Sequence, residues 1–451
     1  MSYLFKNATL LTLDPAAVER ADLRVEGGRV AERGTQLEPR AGEEVVETGG
    51  RIIMPGMVCA HTHLYSALAR GMPAPPRVPT NFKEILELVW WRLDRALDEE
   101  TIYWSAQAGA LDAARAGTTC LFDHHASPSY ISGSLQIVRE AIEKVGLRGV
   151  LCYEVTNRGG RQRCDEGLEE NRAFLEWASN SLAPVSADKE QRAAAERVPP
   201  PLFRGMVGAH ASFTLTDEAL EVCAELMREF GVGLHVHAAE DLSDVEDARA
   251  KYGLGVVERL EKRGALNGRT ILAHGVHLSD RDIEIAHSAG VWFAHNPRSN
   301  MNNQVGYAPL AKFGERVVLG TDGLGADMFE EARFAFFKGR DGRLGWSADE
   351  WRRVLANNHR LASEVFGVEL GALGVGAAAD LIILDYPAPT PLTGENFAWH
   401  LVFGLNSAAV ESVMVNGRFI VRDGRSPLDV QDIYDQARKA SEKLWAKLQE
   451  I

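Results

Sequence analysis

His61-Thr62-His63 closes the apolar run 52–58. Side chains two apart in a strand share a face. Both imidazoles would therefore leave one strand end together, spaced to hold one metal ion. Comparable groups recur downstream. His237 ends the run Gly233-Leu234-His235-Val236-His237, and Glu240 follows three residues later. A carboxylate there could shuttle protons beside activated water, or simply begin the next helix, whose N-terminus favours acids. His235 shares a face with His237 but lies deeper, where a hydrogen-bonded core histidine is expected. His274, in Ala273-His274-Gly275, could ligate metal or orient water and substrate. Asp322, in Gly320-Thr321-Asp322-Gly323, could bind metal and take a proton from its water, or form an Asp-Gly turn. Three histidines with a carboxylate suit zinc or iron, and such a metal can bring the pKa of its water to about 7.

Each of these residues falls at the end of a strand-like run, and that pattern predicts the fold. Runs 52–58, 118–122, 149–153, 205–208, 232–236, 270–273, 291–294 and 317–319 alternate with helical stretches. Several are continuously apolar, like strands buried on both faces of a parallel sheet. Eight such strands predict an α/β chain built on a (β/α)₈ TIM-like barrel, where chemistry sits at the C-terminal strand ends. Thr216-Asp217-Glu218 marks a helix start and Gly231 its end; 280–289, capped by Ser279, marks another. Short strands at 3–5, 9–13, 22–26 and 44–47, with 379–384 and a hairpin turning at Asn416-Gly417, predict a small β-sandwich domain built from both termini. The expected division is 1–54 and 366–451 for that domain and 55–365 for the barrel, with 431–449 a closing amphipathic helix. The polar, alanine-rich stretch 183–201 reads as an exposed insertion before the fourth strand.

The bulk numbers narrow the class. The chain has 451 residues, 45% hydrophobic and 25% charged, an ordinary globular composition long enough for a barrel and an accessory domain. A net charge of −14 argues against a nucleic-acid or anionic-membrane surface. No run of 18 apolar residues occurs, so no membrane span is expected. Five cysteines without a Cys-X-X-Cys motif, and no signal-peptide apolar region, predict reduced thiols in the cytoplasm. Cys59 could offer a thiolate beside His61, but a buried core cysteine is the expected role.

The set as a whole resembles the amidohydrolase superfamily over nearly the entire chain. The segment from Met54-Pro55-Gly56 to His61-Thr62-His63 resembles its first-strand signature, and Gly376-Ala377-Ala378-Ala379-Asp380-Leu381 the return to its composite β domain. His237-Ala238-Ala239-Glu240 is similar to the branch that deaminates guanine, cytosine, S-adenosylhomocysteine and triazines. Asp123-His124-His125-Ala126-Ser127-Pro128 and the stretch from His295-Asn296-Pro297 to Asn303 resemble the SsnA-type aminohydrolases. The resemblance implies that His61, His63, His237 and Asp322 ligate one divalent metal, zinc first and iron as the alternative. It implies Glu240 as proton shuttle and His274 as the residue that orients the attacking oxygen. Residues 203–216 contain no lysine, so the bridged two-metal centre of other branches is not expected. His210 matches a position that contacts substrate in related deaminases; His125, Arg158 and Asn300 are further substrate candidates, and Arg298 is a weaker one. Trp90-Trp91 is expected to pack on a helix face rather than form an aromatic lid.

The expectation is a metal-dependent hydrolase that deaminates an amino-substituted, purine- or pterin-like heterocycle. The same site could instead expel chloride or open a cyclic amide. A barrel without catalysis, serving as a scaffold, is the alternative from another class. The expected partner is a small heterocyclic substrate, with no nucleic acid and no membrane; a homodimer is possible on general grounds.

Overall fold

The computed structural model describes residues 2–180 and 199–451. All but the last three residues of the expected insertion 183–201 lie outside the described residues. The chain opens with β1 (Ser2–Thr12), β2 (Ala17–Glu26), β3 (Arg29–Gly34), β4 (Glu44–Glu47) and β5 (Ile52–Pro55). A four-stranded parallel sheet follows, β6 (Met57–Thr62), β7 (Thr118–His125), β8 (Arg148–Tyr153) and β9 (Phe203–Gly205). A five-stranded parallel sheet holds β10 (Val207–Ala211), β11 (Leu234–Ala238), β12 (Ile271–His274), β13 (Trp292–His295) and β14 (Val317–Leu319). Finally β15 (Leu381–Leu384), β16 (Val410–Val415) and β17 (Arg418–Val421) join the opening strands in one sheet, ordered β17-β16-β15-β5-β1-β2-β3 with β4 beside β1.

Isolated parallel bridges, Thr62 to Asp322 and Val155 to Ala209, link the ends of the two parallel sheets. Asn358, from the helix Ala348–Phe366, reinforces the first junction. Its amide donates to the carbonyls of Val58 in β6 and Leu319 in β14, and its oxygen accepts from the Leu319 amide. Strands β6 to β8 are buried at every position, which explains their unbroken apolar runs.

Two expected strands are each divided. The run 52–58 breaks at Gly56: β5 joins the terminal sheet while β6 begins the parallel one. A Cβ at Gly56 would lie 2.2 Å from the Thr119 side chain, so only glycine permits this close approach. The fourth run breaks at Met206, with β9 on β8 and β10 on β11. In contrast, 3–5 and 9–13 form one strand, β1, with a register irregularity between Phe5 and Ala8. Strand β3, Arg-Val-Ala-Glu-Arg-Gly, was not among the expected strands.

The helix boundaries follow their caps. Thr216 accepts from the Ala219 amide to start Asp217–Phe230, and Gly231 ends it at φ 64°. Ser279 and Asp282 form a capping box for Asp280–Ala289. The closing helix spans Val430–Leu448, and its Trp445 indole donates to Leu68 O at 2.9 Å. Among the described residues no helix is long and apolar enough to cross a membrane.

Candidate active site

Parallel register aligns the chemical groups at one end of the strands. Ala211 lies opposite His237, Ala238 opposite His274, and Thr62 opposite Asp322. His61 closes β6 with its carbonyl accepting from the amides of Thr321 and Asp322, which ties the first strand to the last. Asp322, His274 and Ala239 all have positive φ, at 54°, 72° and 49°. Non-glycine residues take that conformation at a cost of roughly 1–3 kcal/mol each, tolerated where surrounding structure over-determines them.

The donor set fits a divalent cation. His63 Nδ1 donates to His124 O at 2.5 Å and His237 Nδ1 to His210 O at 2.8 Å. His61 Nδ1 pairs with His235 Nε2 at 2.9 Å, so His235 is the hydrogen-bonded core histidine that was expected. These anchors leave the three Nε2 atoms facing inward, where His63 Nε2 lies 3.2 Å from His237 Nε2 and 2.9 Å from Asp322 Oδ1. His61 Nε2 is 3.6 Å from the same Asp322 oxygen and has no hydrogen-bond partner. Burial pushes His61 down to about 3 and His237 well below the ordinary imidazole range, so both are neutral. A neutral imidazole that spends Nδ1–H on a carbonyl presents a lone pair at Nε2. Burial acts to lower His63 as well, but the Asp322 carboxylate beside it holds that ring up to about 9, and backbone anchors of this kind orient metal-binding histidines. The four side chains His61, His63, His237 and Asp322 bring their donor atoms within 4.8 Å of one another.

A second group adjoins them: Glu240, His274 and Asp322. His274 Nε2 lies 3.6 Å from Glu240 Oε2 and 3.9 Å from Asp322 Oδ2. Its Nδ1 pairs with Asn300 Oδ1 at 2.8 Å, which fixes the ring. Ser299 donates to Asp322 Oδ2, and Asn303 donates to Glu240 Oε1 at 3.1 Å. Burial pushes the Glu240 carboxyl up to about 7, against the pull of His274. Burial also acts to raise Asp322, but the imidazoles of His61, His63 and His274 around it hold it well below the carboxylate range. Two carboxyls in one pocket thus favour opposite protonation states, the arrangement that separates a proton donor from an acceptor.

A cavity opens onto this centre. Its walls include His63, His237, Glu240 and Asp322, and on the other side Trp91, Asp94, Glu154, His210 and Phe213. His210 therefore stands where substrate contact was expected. The other three substrate candidates sit behind the walls. Arg158 reaches Asp94 at 3.0 Å and Glu154 at 3.2 Å, with the Trp91 ring 4.7 Å away. Asn300 holds His274, and His125 is fully buried with Nε2 on Ser127 Oγ at 2.9 Å. Arg298 bonds Glu330, Glu331 and Gly325 O. Cys59 is buried against Thr321, its thiol pushed up to about 11 by burial, so it is a core residue.

Trp90 and Trp91 pack against the core as a helix face was expected to, and both also line the cavity. A π-helical turn at Leu86–Trp90 interrupts the α-helical repeat there. A π turn changes which residues share a face, and nothing in the apolar spacing marks it. Ser299 and Asn303 lay inside a recognised motif without an assigned role, Glu154 ends the run 149–153 but was given no role, and Asp94 had no signal beyond being acidic.

Comparison with known proteins places the chain. The Amidohydrolase family matches residues 52–420. The 5'-deoxyadenosine deaminase of Methanosarcina mazei is 30% identical over 456 residues, with 99% of each chain covered. The 5-methylthioadenosine/S-adenosylhomocysteine deaminase of Thermococcus sibiricus is 29% identical, with 93% of this chain and 94% of the relative covered. Among solved structures, the adenosine deaminase of Xanthomonas campestris with bound zinc aligns at TM-score 0.79 and 20% identity over 98% of both chains. The atrazine chlorohydrolase of Arthrobacter aurescens complexed with zinc aligns at TM-score 0.80 and 23% identity, over 97% of this chain and all of the other. These two likenesses show a shared fold.

Proposed function

This chain belongs to the amidohydrolase family, and we propose that it is a zinc-dependent aminohydrolase that removes the exocyclic amino group of an adenosine-like purine. The enzyme is a metal-dependent hydrolase of C–N bonds other than peptide bonds. The observation that carries the reading is the convergence of His61, His63, His237 and Asp322 beside Glu240 and His274. The substrate class draws on the named deaminases that match this chain from end to end. The two parallel sheets read as a closed (β/α)₈ barrel, supported by the bridges at Thr62–Asp322 and Val155–Ala209. The sheet built from both termini reads as the accessory β-sandwich domain.

When bound by the four donors, zinc supplies a Lewis acid that makes water reactive near neutral pH. Asp322, held ionised, takes a proton from the attacking water. His274 Nε2, fixed through Asn300, aims that water at the amino-bearing ring carbon. The neutral Glu240 gives its proton to the adjacent ring nitrogen. A C–O bond forms, the bond to the amino group breaks, and ammonia leaves with the proton from Asp322; the proton of the new hydroxyl returns to Glu240, and the ring keeps an oxo group. Trp91 and Phe213 supply an aromatic wall for a planar base.

Ammonia release by purified, zinc-loaded protein from adenosine-like nucleosides, against guanine, pterins, cytosine and triazines, tests the reading. Glu240→Gln should keep one bound metal and lose about 100- to 10,000-fold in kcat; near-normal kcat in that variant refutes the assigned role.

A further inference from the structure

One short segment touches all three groups assigned to the proton transfers. The helix Pro297–Asn302 and Asn303, which closes it, put Ser299 on Asp322, Asn300 on His274 and Asn303 on Glu240. Ser299 and Asn303 are four residues apart, so they lie on one face of that turn. The Asn303 amide is held at both ends. Its Oδ1 accepts from Asn302 Nδ2 at 3.1 Å. That leaves Nδ2 to donate to Glu240 Oε1 at 3.1 Å, with Ser299 Oγ 3.4 Å away. The reverse orientation would turn the amide oxygen onto a carboxylate oxygen, two acceptors with no proton between them. The Ser299 hydroxyl gives its own proton to Asp322 Oδ2, so it too faces Asn303 as an acceptor. Among the described residues no other side chain donates to Glu240.

We propose that Asn303 is a positioning residue that selects Oε2 of Glu240 as the oxygen carrying the shuttled proton. The inference rests on Glu240 as the shuttle and names what aims it. A carboxyl group holds its proton on one oxygen, while the other acts as a carbonyl acceptor. Oε1 is engaged by the Asn303 amide, so the proton stands on Oε2. That oxygen faces His274 Nε2 at 3.6 Å, the nitrogen that orients the attacking water. Without the amide, the carboxyl turns freely about its last bond and the proton is no longer aimed at the substrate.

Asn303→Leu removes the donor at similar volume. Its kcat for ammonia release should fall about 100-fold, the scale of a reacting group left misaimed, with KM and bound metal unchanged. A normal kcat overturns the proposal. So does a loss of kcat that tracks loss of metal, which would make Asn303 a support of the metal site. Infrared difference spectra of the metal-loaded protein, taken against Glu240→Gln, read the aim without substrate. Burial pushes Glu240 up to about 7, so its carboxylic C=O stretch is present at lower pH. In the wild type that stretch should lie at the lower wavenumber of a carbonyl that accepts a hydrogen bond, and Asn303→Leu should move it up. A wild-type band at the free-carbonyl position overturns the proposal whether or not the variant folds. If the wild type releases no ammonia from any amino-heterocycle, the aminohydrolase reading fails, and the infrared band still decides which oxygen holds the proton.

Discussion

Two groups of largely buried polar side chains lie at opposite ends of the parallel strands, and they are built on opposite plans. At the start of β8, Arg148 spends Nε and Nη2 on both oxygens of Asp380, Nη2 also on Asn416 Oδ1, and Nη1 on Pro201 O. That network is complete and joins the parallel sheet to the terminal one. At the ends of β6, β11 and β12 the network is incomplete: Nε2 of His61 and of His274 have no hydrogen-bond partner, and two backbone positions there are strained. An unmet buried polar atom costs roughly 1–3 kcal/mol. Both nitrogens face the cluster of His61, His63, His237, Asp322 and Glu240, where a bound metal and a substrate would meet the need.

The comparison breaks most visibly at a ligand. His237→Ala should reduce bound metal from about one equivalent to near zero and cut ammonia release at least ~1,000-fold, the loss of several kcal/mol of Lewis-acid stabilisation. Metal analysis with steady-state kinetics reads both; retained metal with near-normal turnover would put the centre elsewhere. At the other end, Arg148→Met leaves the Asp380 carboxylate buried and unpaired. It should cost about 3–5 kcal/mol in denaturant unfolding, while kcat per folded molecule stays within about twofold. A large kcat loss there would erase the distinction between the two regions.

The distinction was partly legible in the sequence. That His61, His63, His237 and Asp322 end strand-like runs was readable because strand alternation and apolar runs are local; choosing these four as the ligand set came from the resemblance to the amidohydrolase superfamily. The far wall was not. Arg158 was expected to touch substrate, yet it neutralises Asp94 and Glu154, which come from separate segments; only the fold decides which charges share a pocket. Asn300 and Ser299 fell inside a recognised motif, but their service to His274 and Asp322 depends on the turn of the short helix Pro297–Asn302. The split at Gly56 was hidden for a similar reason. One apolar run serves two sheets, and neither half differs in composition.

Ser299 sharpens the comparison at smaller scale. Ser299→Ala removes the donor to Asp322 while leaving all four proposed ligands in place, and should cost about 10- to 100-fold in metal affinity or kcat, with stability little changed. Loss of stability instead would make it a scaffold residue like Arg148.

The smallest expected effect is the most discriminating. Bound metal stabilises the native state by an amount set by its concentration over Kd, about 4 kcal/mol at a thousandfold excess. Chelation should remove that increment from the wild type and from Arg148→Met alike. The two networks share no hydrogen-bond partner among those described, so their contributions should add to within about 0.5 kcal/mol. The quantity to measure is the unfolding free energy of both proteins with and without chelator. An interaction energy well above that value would mean that strand β8, which begins at Arg148 and ends beside Glu154, transmits strain from one network to the other. The completed network would then be holding the unfinished one in shape, not merely supporting the sheet on which it sits.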